Sequence, residues 1–301
     1  MSVVLLSGGS GGAKLGRGLY ELLGDDLTIV ANTGDDSEFY GAAVSPDPDL
    51  VTYWLADRID DRGWGIAGDT FAAVEMLREL GADAWFHLGD RDLAVCLERR
   101  RLREQEGLSA TAAHARLAAA LGVTARVLPM SDQPVHTRIR STGGWLSLQE
   151  YMVRERASVP IEDIELAGIA AAAPSAEALA ALEAASAIII GPSNPVISIG
   201  PIISLPGMRE ALAAAPAPVV GVSPIVAGEV VKGPTAACLA WAGLPTNASG
   251  VIAYYGELLD GIVSDEQVDA IASLRCETLM ASAAQRRELA ERVLEFAASL
   301  S

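Results

Sequence analysis

Four apolar residues, Val3-Val4-Leu5-Leu6, run directly into Ser7-Gly8-Gly9-Ser10-Gly11-Gly12-Ala13-Lys14, and apolar residues then recur at Leu15, Leu19, Leu22 and Leu23. The first run reads as a buried strand and the last as one face of a helix, which leaves the glycines in a strand-to-helix turn. Glycines in such a turn let backbone amides approach a phosphate at the helix N-terminus, and Lys14 adds a positive charge beside them. The run lacks the Gly-Lys-Ser/Thr ending of a P-loop and is not a clean dinucleotide fingerprint, so it does not name a cofactor class. A tight turn serving only the packing of helix on sheet is the plainer reading of the same glycines.

The same alternation continues along the chain. Leu27-Thr28-Ile29-Val30-Ala31, Ala187 to Ile190 and Val219 to Val222 read as further strands, and Ser175 to Ser186, Gly207 to Ala215 and Ala283 to Leu300 as helices. Strand and helix in turn predict an α/β fold. The stretch from Gly68 to Leu121, rich in Ala, Leu, Arg and Glu, reads as a mainly helical insertion (68–121) in one compact domain spanning 1–301. At 31.3 kDa the chain is long enough for a single large core.

Charge narrows the partners. With 39 acidic against 22 basic side chains the net charge is −17, which opposes non-specific nucleic-acid binding. Any phosphate ligand must therefore be held locally. No apolar run approaches the roughly 20 residues that span a bilayer, and the first residues lack the basic n-region of a secretory signal, so a cytoplasmic protein is expected. Cys96, Cys238 and Cys276 have neither metal-ligand nor redox spacing and read as free thiols.

Three further segments offer chemistry. Asn32-Thr33-Gly34-Asp35-Asp36 and Ser45-Pro46-Asp47-Pro48-Asp49 gather Asp35, Asp36, Asp47 and Asp49 beyond a strand end. Such oxygens suit Mg²⁺, which would also let an acidic protein hold a diphosphate; turn formation alone is the rival account of these residues. In His87-Leu88-Gly89-Asp90-Arg91-Asp92, Arg91 has the geometry to clamp a phosphate, and Asp90 or Asp92 to orient a hydroxyl or a metal-bound water. An Arg–Asp pair capping the next helix explains this loop equally well, and His87 is open between ligand contact and packing. Gly191-Pro192-Ser193-Asn194-Pro195 follows a strand, where α/β sheets bind ligands, and presents Ser193 and Asn194 for a base or ribose. The stretches 128–135 and 222–225 repeat this pattern and are expected to line the same cleft. Trp64 and Trp85 are able to stack on a flat ring, but core packing is the default for an isolated tryptophan.

Taken in order, Leu6-Ser7-Gly8-Gly9-Ser10-Gly11-Gly12, Asn32 to Asp36, Ser45 to Asp49, Leu88 to Asp92, Met130-Ser131-Asp132, Gly191 to Pro195, Ser198 to Gly207 and Ser223-Pro224-Ile225 resemble the 2-phospho-L-lactate transferase family over nearly the whole chain. The resemblance implies a Rossmann-like α/β fold with a mostly parallel sheet, Mg²⁺ dependence, a guanosine diphosphate-linked donor and a deazaflavin acceptor, 7,8-didemethyl-8-hydroxy-5-deazariboflavin, in coenzyme F420 biosynthesis. By the same resemblance Ser7, Gly8, Gly9, Ser10, Gly11, Gly12, Lys14, Ser193 and Asn194 face the nucleotide, Asp49 and His87 contact the acceptor, and a homodimer is expected. Asp35, Asp36 and Asp47 are the metal candidates, and Asp49, Asp90 and Arg91 the catalytic ones. The three-carbon unit is lactate, enolpyruvate or glycerate.

Two other classes compete. A nucleotide-sugar-binding regulator of related fold would bind without transferring, and an NAD-dependent oxidoreductase would require the dinucleotide fingerprint that the first glycine turn lacks.

Overall fold

A computed structural model of the chain describes residues 2–300 and places the opening unit as β1 (Val3–Ser7) and α1 (Gly9–Leu23). There follow β2 (Leu27–Ala31), a hairpin of β3 (Ser37–Phe39) and β4 (Ala42–Val44), α2 (Pro46–Leu55), α3 (Ala72–Glu79), α4 (Asp90–Glu104), α5 (Ala110–Ala120) and β5 (Arg126–Pro129). The antiparallel strands β6 (His136–Ser141), β7 (Gly144–Ser147) and β8 (Asp163–Ala167) come next, then α6 (Ala176–Glu183), β9 (Ala187–Ile190), α7 (Gly200–Ile203) and α8 (Met208–Ala214). The chain continues through β10 (Val219–Val222), the hairpin β11 (Ile225–Val226) and β12 (Glu229–Val230), α9 (Thr235–Trp241), α10 (Ala248–Tyr255), β13 (Gly261–Ser264), β14 (Ala272–Arg275) and α11 (Ala283–Ser299).

Seven of these strands form one parallel sheet in the order β14-β13-β10-β9-β1-β2-β5. Helices cover both faces, which is why β1, β2, β9 and β10 are nearly continuous apolar runs, interrupted only by Ser7, Thr28 and the Gly221 of β10, with every residue buried. Successive side chains point to opposite sides. Val4 and Leu6 join Ile188 and Ile190 in a core with Leu182 of α6, Met208 and Leu212 of α8, and Val251 of α10. Val3 and Leu5 join Ile29 and Ile189 in the other, with Leu15 and Leu19 of α1, Val51 of α2, and Leu289 and Val293 of α11. Fully burying one such Leu or Ile contributes about 1.5–3 kcal/mol.

Helix α1 packs against α2 and α11. It lies so close to α11 that a Cβ at Gly18 would overlap the Arg286 carbonyl. Ser282 and Gln285 form a reciprocal capping box at the start of α11.

The expected strands and the helices α6, α8 and α11 are present, and the fold is the Rossmann-like α/β class. The segment 68–121 contains α3, α4 and α5. Three features depart from expectation. The three-stranded antiparallel sheet β7-β6-β8 was not foreseen. Pro46-Asp47-Pro48-Asp49 is not a loop but the first turn of α2, where proline's fixed φ is already helical and its missing N–H is not needed. The stretch after Asn194 is likewise helical, as a wide π-type turn over Pro195–Ile199 leading into α7. No single helix among the described residues is long and apolar enough to cross a membrane.

Candidate active site

The chain passes from β1 to β2 on one side and returns through β9 on the other, so the turns leaving β1 and β9 diverge and open a crevice at the carboxyl end of the sheet. Gly8 donates its N–H to the Ser193 hydroxyl at 3.2 Å, tying the two turns together. At Gly11 the approach is so close that a Cβ would collide with the Pro192 carbonyl. Gly8, at the N-cap of α1, has no side chain to cap it, and although Asp47 takes the Gly9 amide, Ser10 and Gly11 of the first turn line a cleft of about 290 Å³ at the positive end of the helix dipole.

Gly8, Gly9, Ser10, Gly11, Lys14 and Ser193 all line this cleft, as do Ser223 and Pro224. Asn194 lines it too, but its Oδ1 accepts the amides of Val196 and Ile197 at 2.9 and 3.2 Å and caps the following turn. Ser7 and Gly12 lie behind the wall: Ser7 is fully buried, and a Cβ at Gly12 would overlap the hydroxyls of Ser7 and Ser193.

The cleft is where this chain keeps its lysines. The sequence contains two, Lys14 and Lys232, and both line it. Burial lowers the Lys14 pKa, with the charges of Lys232 and Arg286 pushing the same way. Sequence reading missed Lys232; the signal was the scarcity of lysine, which makes each position informative.

Beside the glycine turn lies a buried set of carboxylates. Asp47 accepts the Gly9 amide at 2.6 Å on Oδ1 and the Asn32 side-chain amide at 2.9 Å on Oδ2. Asn32 in turn accepts the Gly34 amide at 2.8 Å, and Asp36 accepts the Ser45 hydroxyl at 2.7 Å. Burial pushes Asp36 up to about 7, against the Ser45 hydrogen bond and Arg99, and Asp47 up to about 6. Asp35 is raised as well, by burial first and then by Asp47 and Asp36, and its Oδ1 is buried without a hydrogen-bond partner. Asp35 and Asp36 offer the least committed oxygens of the set and are the ones available to a hard divalent cation.

Asp49, two residues on in the same first turn of α2, serves differently. It is ion-paired with Arg99, and both side chains are buried. Burial still pushes Asp49 up to about 7, outweighing the guanidinium. Arg99 stays charged because, although burial opposes it, Asp49 and its other neighbours raise its pKa further; it also donates to the Ala43 carbonyl at 2.7 Å. Asp92 accepts the Tyr53 hydroxyl at 2.7 Å. Asp49, Asp92 and Cys96 bring ligand atoms within 4.8 Å of one another. They make a poor cation site, since Arg99 occupies Asp49, Tyr53 occupies Asp92, and burial holds the Cys96 thiol protonated. The histidine beside Asp49 is His114, with Nδ1 at 4.0 Å and Nε2 hydrogen-bonded to Thr52 at 3.0 Å. Burial, reinforced by Arg99, lowers its pKa to about 3 and keeps it neutral. Arg99 and His114 carry no motif, and nothing short of the fold brings them to Asp49.

A second cavity of about 370 Å³ opens beside the same carboxylates. Thr33, Asp36, Ser45, Arg99, Asp132 and His136 are among its walls. Residues 131–135 line this cavity, not the first cleft as expected, because β5 lies on the far side of β2 from β9.

The remaining candidates fall at helix starts. Asp90 accepts the Thr70 hydroxyl at 2.6 Å and the amides of Ala72 and Ala73 at 3.1 and 2.9 Å, capping α3. Asp69 returns the arrangement, accepting the amides of Arg91 and Asp92 at the start of α4 at 2.8 and 3.2 Å. Arg91 is exposed and donates to the Ala67 carbonyl at 3.1 Å. His87 stacks on Phe71 with ring centres 4.4 Å apart, and Arg78 lies 3.4 Å from its Nε2. Trp85 sits edge-on to Phe39 at 5.2 Å, while Trp64 is in no core and lines the first cleft.

A glycine-rich helix start, the two lysines and a neighbouring carboxylate set are the chemistry that a phosphorylated substrate calls for. The family model described as 2-phospho-L-lactate transferase CofD matches residues 3–294. The chain belongs to the 2-phospho-L-lactate transferase family. A 2-phospho-L-lactate transferase from Methanosarcina mazei is 40% identical over 97% of this chain and 99% of its own length. A phosphoenolpyruvate transferase from Kitasatospora aureofaciens is 42% identical over 88% of this chain and 85% of its own. A UPF0052-family protein from Bacillus halodurans has the same fold, with a TM-score of 0.64 at 16% identity over 97% of this chain and 98% of that one. As a member of the 2-phospho-L-lactate transferase family the chain is a transferase.

Proposed function

We propose that this transferase moves a phospho-three-carbon-acid unit from a guanosine diphosphate-linked donor to the terminal ribityl hydroxyl of a deazaflavin. The acceptor oxygen bonds to the phosphorus nearer the three-carbon acid, the bond from that phosphorus to the bridging oxygen breaks, and GMP leaves with the electron pair. The hydroxyl proton passes to a carboxylate of the buried set. The product is a phosphodiester, and the reaction belongs to coenzyme F420 assembly.

The observation that carries this reading is the meeting of the cleft and the carboxylates at Gly9. Its residue forms part of the phosphate-facing wall, and its amide is held by Asp47. A diphosphate against the α1 amides, Lys14 and Lys232 would lie across the Gly9 wall from Asp47, with Asp35 and Asp36 further along the same carboxylate set. A Mg²⁺ ion held there by Asp35 and Asp36 would neutralise charge on the phosphates when bound. The protein's own contribution is positioning and fixed electrostatics, which dominate phosphoryl transfer.

The test is a mass-spectrometric assay of purified protein with Mg²⁺, the deazaflavin and each of the lactyl, enolpyruvyl and glyceryl guanosine diphosphates. GMP and phosphodiester from at least one donor are expected. Binding of guanosine diphosphate without turnover of any donor would replace the proposal with a nucleotide-binding regulator.

A further inference from the structure

Three of the large apolar side chains left exposed among the described residues meet at the mouth of one cleft. Trp64 is 47% exposed, Val231 61% and Leu279 37%, and all three line the cleft that begins at the glycine turn. They come from separate segments: the loop between α2 and α3, the stretch after β12, and the stretch before α11. Single exposed apolar residues need no explanation, whereas several meeting at the mouth of a concave site mark a ligand surface.

The local backbone presents Trp64 instead of burying it. Gly63 and Gly65, on either side, have φ of +78° and +77°, a conformation that side-chain-bearing residues rarely adopt. Below this tip the loop is closed by the Ile59–Ile66 bridge, by Ala67 donating to the Arg58 carbonyl at 2.7 Å, and by Asp60 donating to the Gly65 carbonyl at 3.2 Å. The Arg62 guanidinium lies 4.6 Å from the centre of the indole, a cation–π contact that orients the ring. The indole is thus held at the cleft mouth with Arg62 against one face and about half of its surface still exposed.

We propose that Trp64 is a positioning residue that stacks on the flat heteroaromatic ring of a substrate, with Val231 and Leu279 completing an apolar rim. This rests on the functional reading above, which supplies two such rings, the guanine of the donor and the deazaflavin of the acceptor. Indole is a sequence-tolerant platform for heterocycles because every such ring has a π-face. The cleft then divides its work: lysines and helix amides take the phosphates, and the rim takes the ring.

The experiment compares the wild type with Trp64→Ala and Trp64→Phe. Calorimetric affinities for guanosine diphosphate and for inorganic pyrophosphate, both with Mg²⁺, are measured beside KM for the deazaflavin. Trp64→Ala is expected to weaken one ring-bearing ligand about tenfold or more, leaving pyrophosphate unchanged, while Trp64→Phe stays within about threefold of wild type. Loss confined to guanosine diphosphate assigns the guanine, and loss confined to the deazaflavin assigns the acceptor. The proposal is overturned if both ring ligands are unaffected by Trp64→Ala, or if pyrophosphate weakens alongside them, which would mark a role in loop structure only. A wild type that binds neither ring ligand would instead defeat the functional reading on which this rests.

Discussion

Asp47 holds the backbone amide of Gly9 at 2.6 Å, and this one bond joins the glycine turn after β1 to the carboxylates at the start of α2. Its second oxygen is taken by Asn32 at 2.9 Å, so neither oxygen is free to turn away. Asp47→Ala should leave a buried amide unsatisfied and cost about 1–3 kcal/mol of stability. Affinity for guanosine diphosphate is expected to fall at least about tenfold because the turn loses its anchor. Thermal unfolding and calorimetric titration check the two effects, and unchanged affinity would deny the coupling.

Arg99 and Asp49 form a buried pair, and removing one partner strands the other. Arg99→Met is predicted to destabilise the protein by about 3–5 kcal/mol, and adding Asp49→Asn to recover much of that loss, since the double variant buries no orphan charge. Denaturant unfolding of the three variants gives the coupling energy. Additive losses would mean that the pair does not act as a unit.

The raised carboxylates predict a cation-responsive fold. Asp36 and Asp49 are pushed up to about 7 and Asp47 to about 6, against about 4 for an unfolded aspartate. Between those values these groups bind more protons in the folded chain, so together they lower stability as pH rises from about 4 to about 7, opposed below about 6.5 by the single His114, lowered to about 3, and the profile then levels off. Mg²⁺ should restore Tm most strongly above pH 7, where it meets ionised oxygens. Calorimetric scans at several pH values with and without Mg²⁺ test this, and a flat profile without metal would contradict it.

Lys14 carries the opposite shift, downward. A bound diphosphate counters that shift by favouring the charged ammonium, so guanosine diphosphate binding on the alkaline side should take up protons. Titrations in buffers of different ionisation enthalpy measure the uptake. It should vanish in Lys14→Met and shrink in Lys232→Met if both amines face the phosphates.

Much of this architecture could be read from local pattern. The buried central strands are nearly continuous apolar runs, and the glycine turn is short enough for its context to be visible on both sides. The form of the acidic run after Ser45 is not legible in the sequence, because Pro and Asp favour turns as readily as first helical turns and only packing of Val51 and Trp54 decides between them. The strand β6 did carry a signal, since His136–Ser141 alternates between buried and less buried positions, but its charged residues masked it. What stayed illegible were contacts between residues distant in sequence. Arg99 reaches Asp49, His114 reaches Thr52, and Asp69 and Asp90 exchange helix caps only once the chain is folded.

Gly18 of α1 and the Arg286 carbonyl of α11 meet so closely that no side chain fits between them. The helix that shapes the phosphate cleft is therefore braced from behind by a segment far from it in sequence, and a substitution at Gly18 would disturb the cleft without touching a ligand.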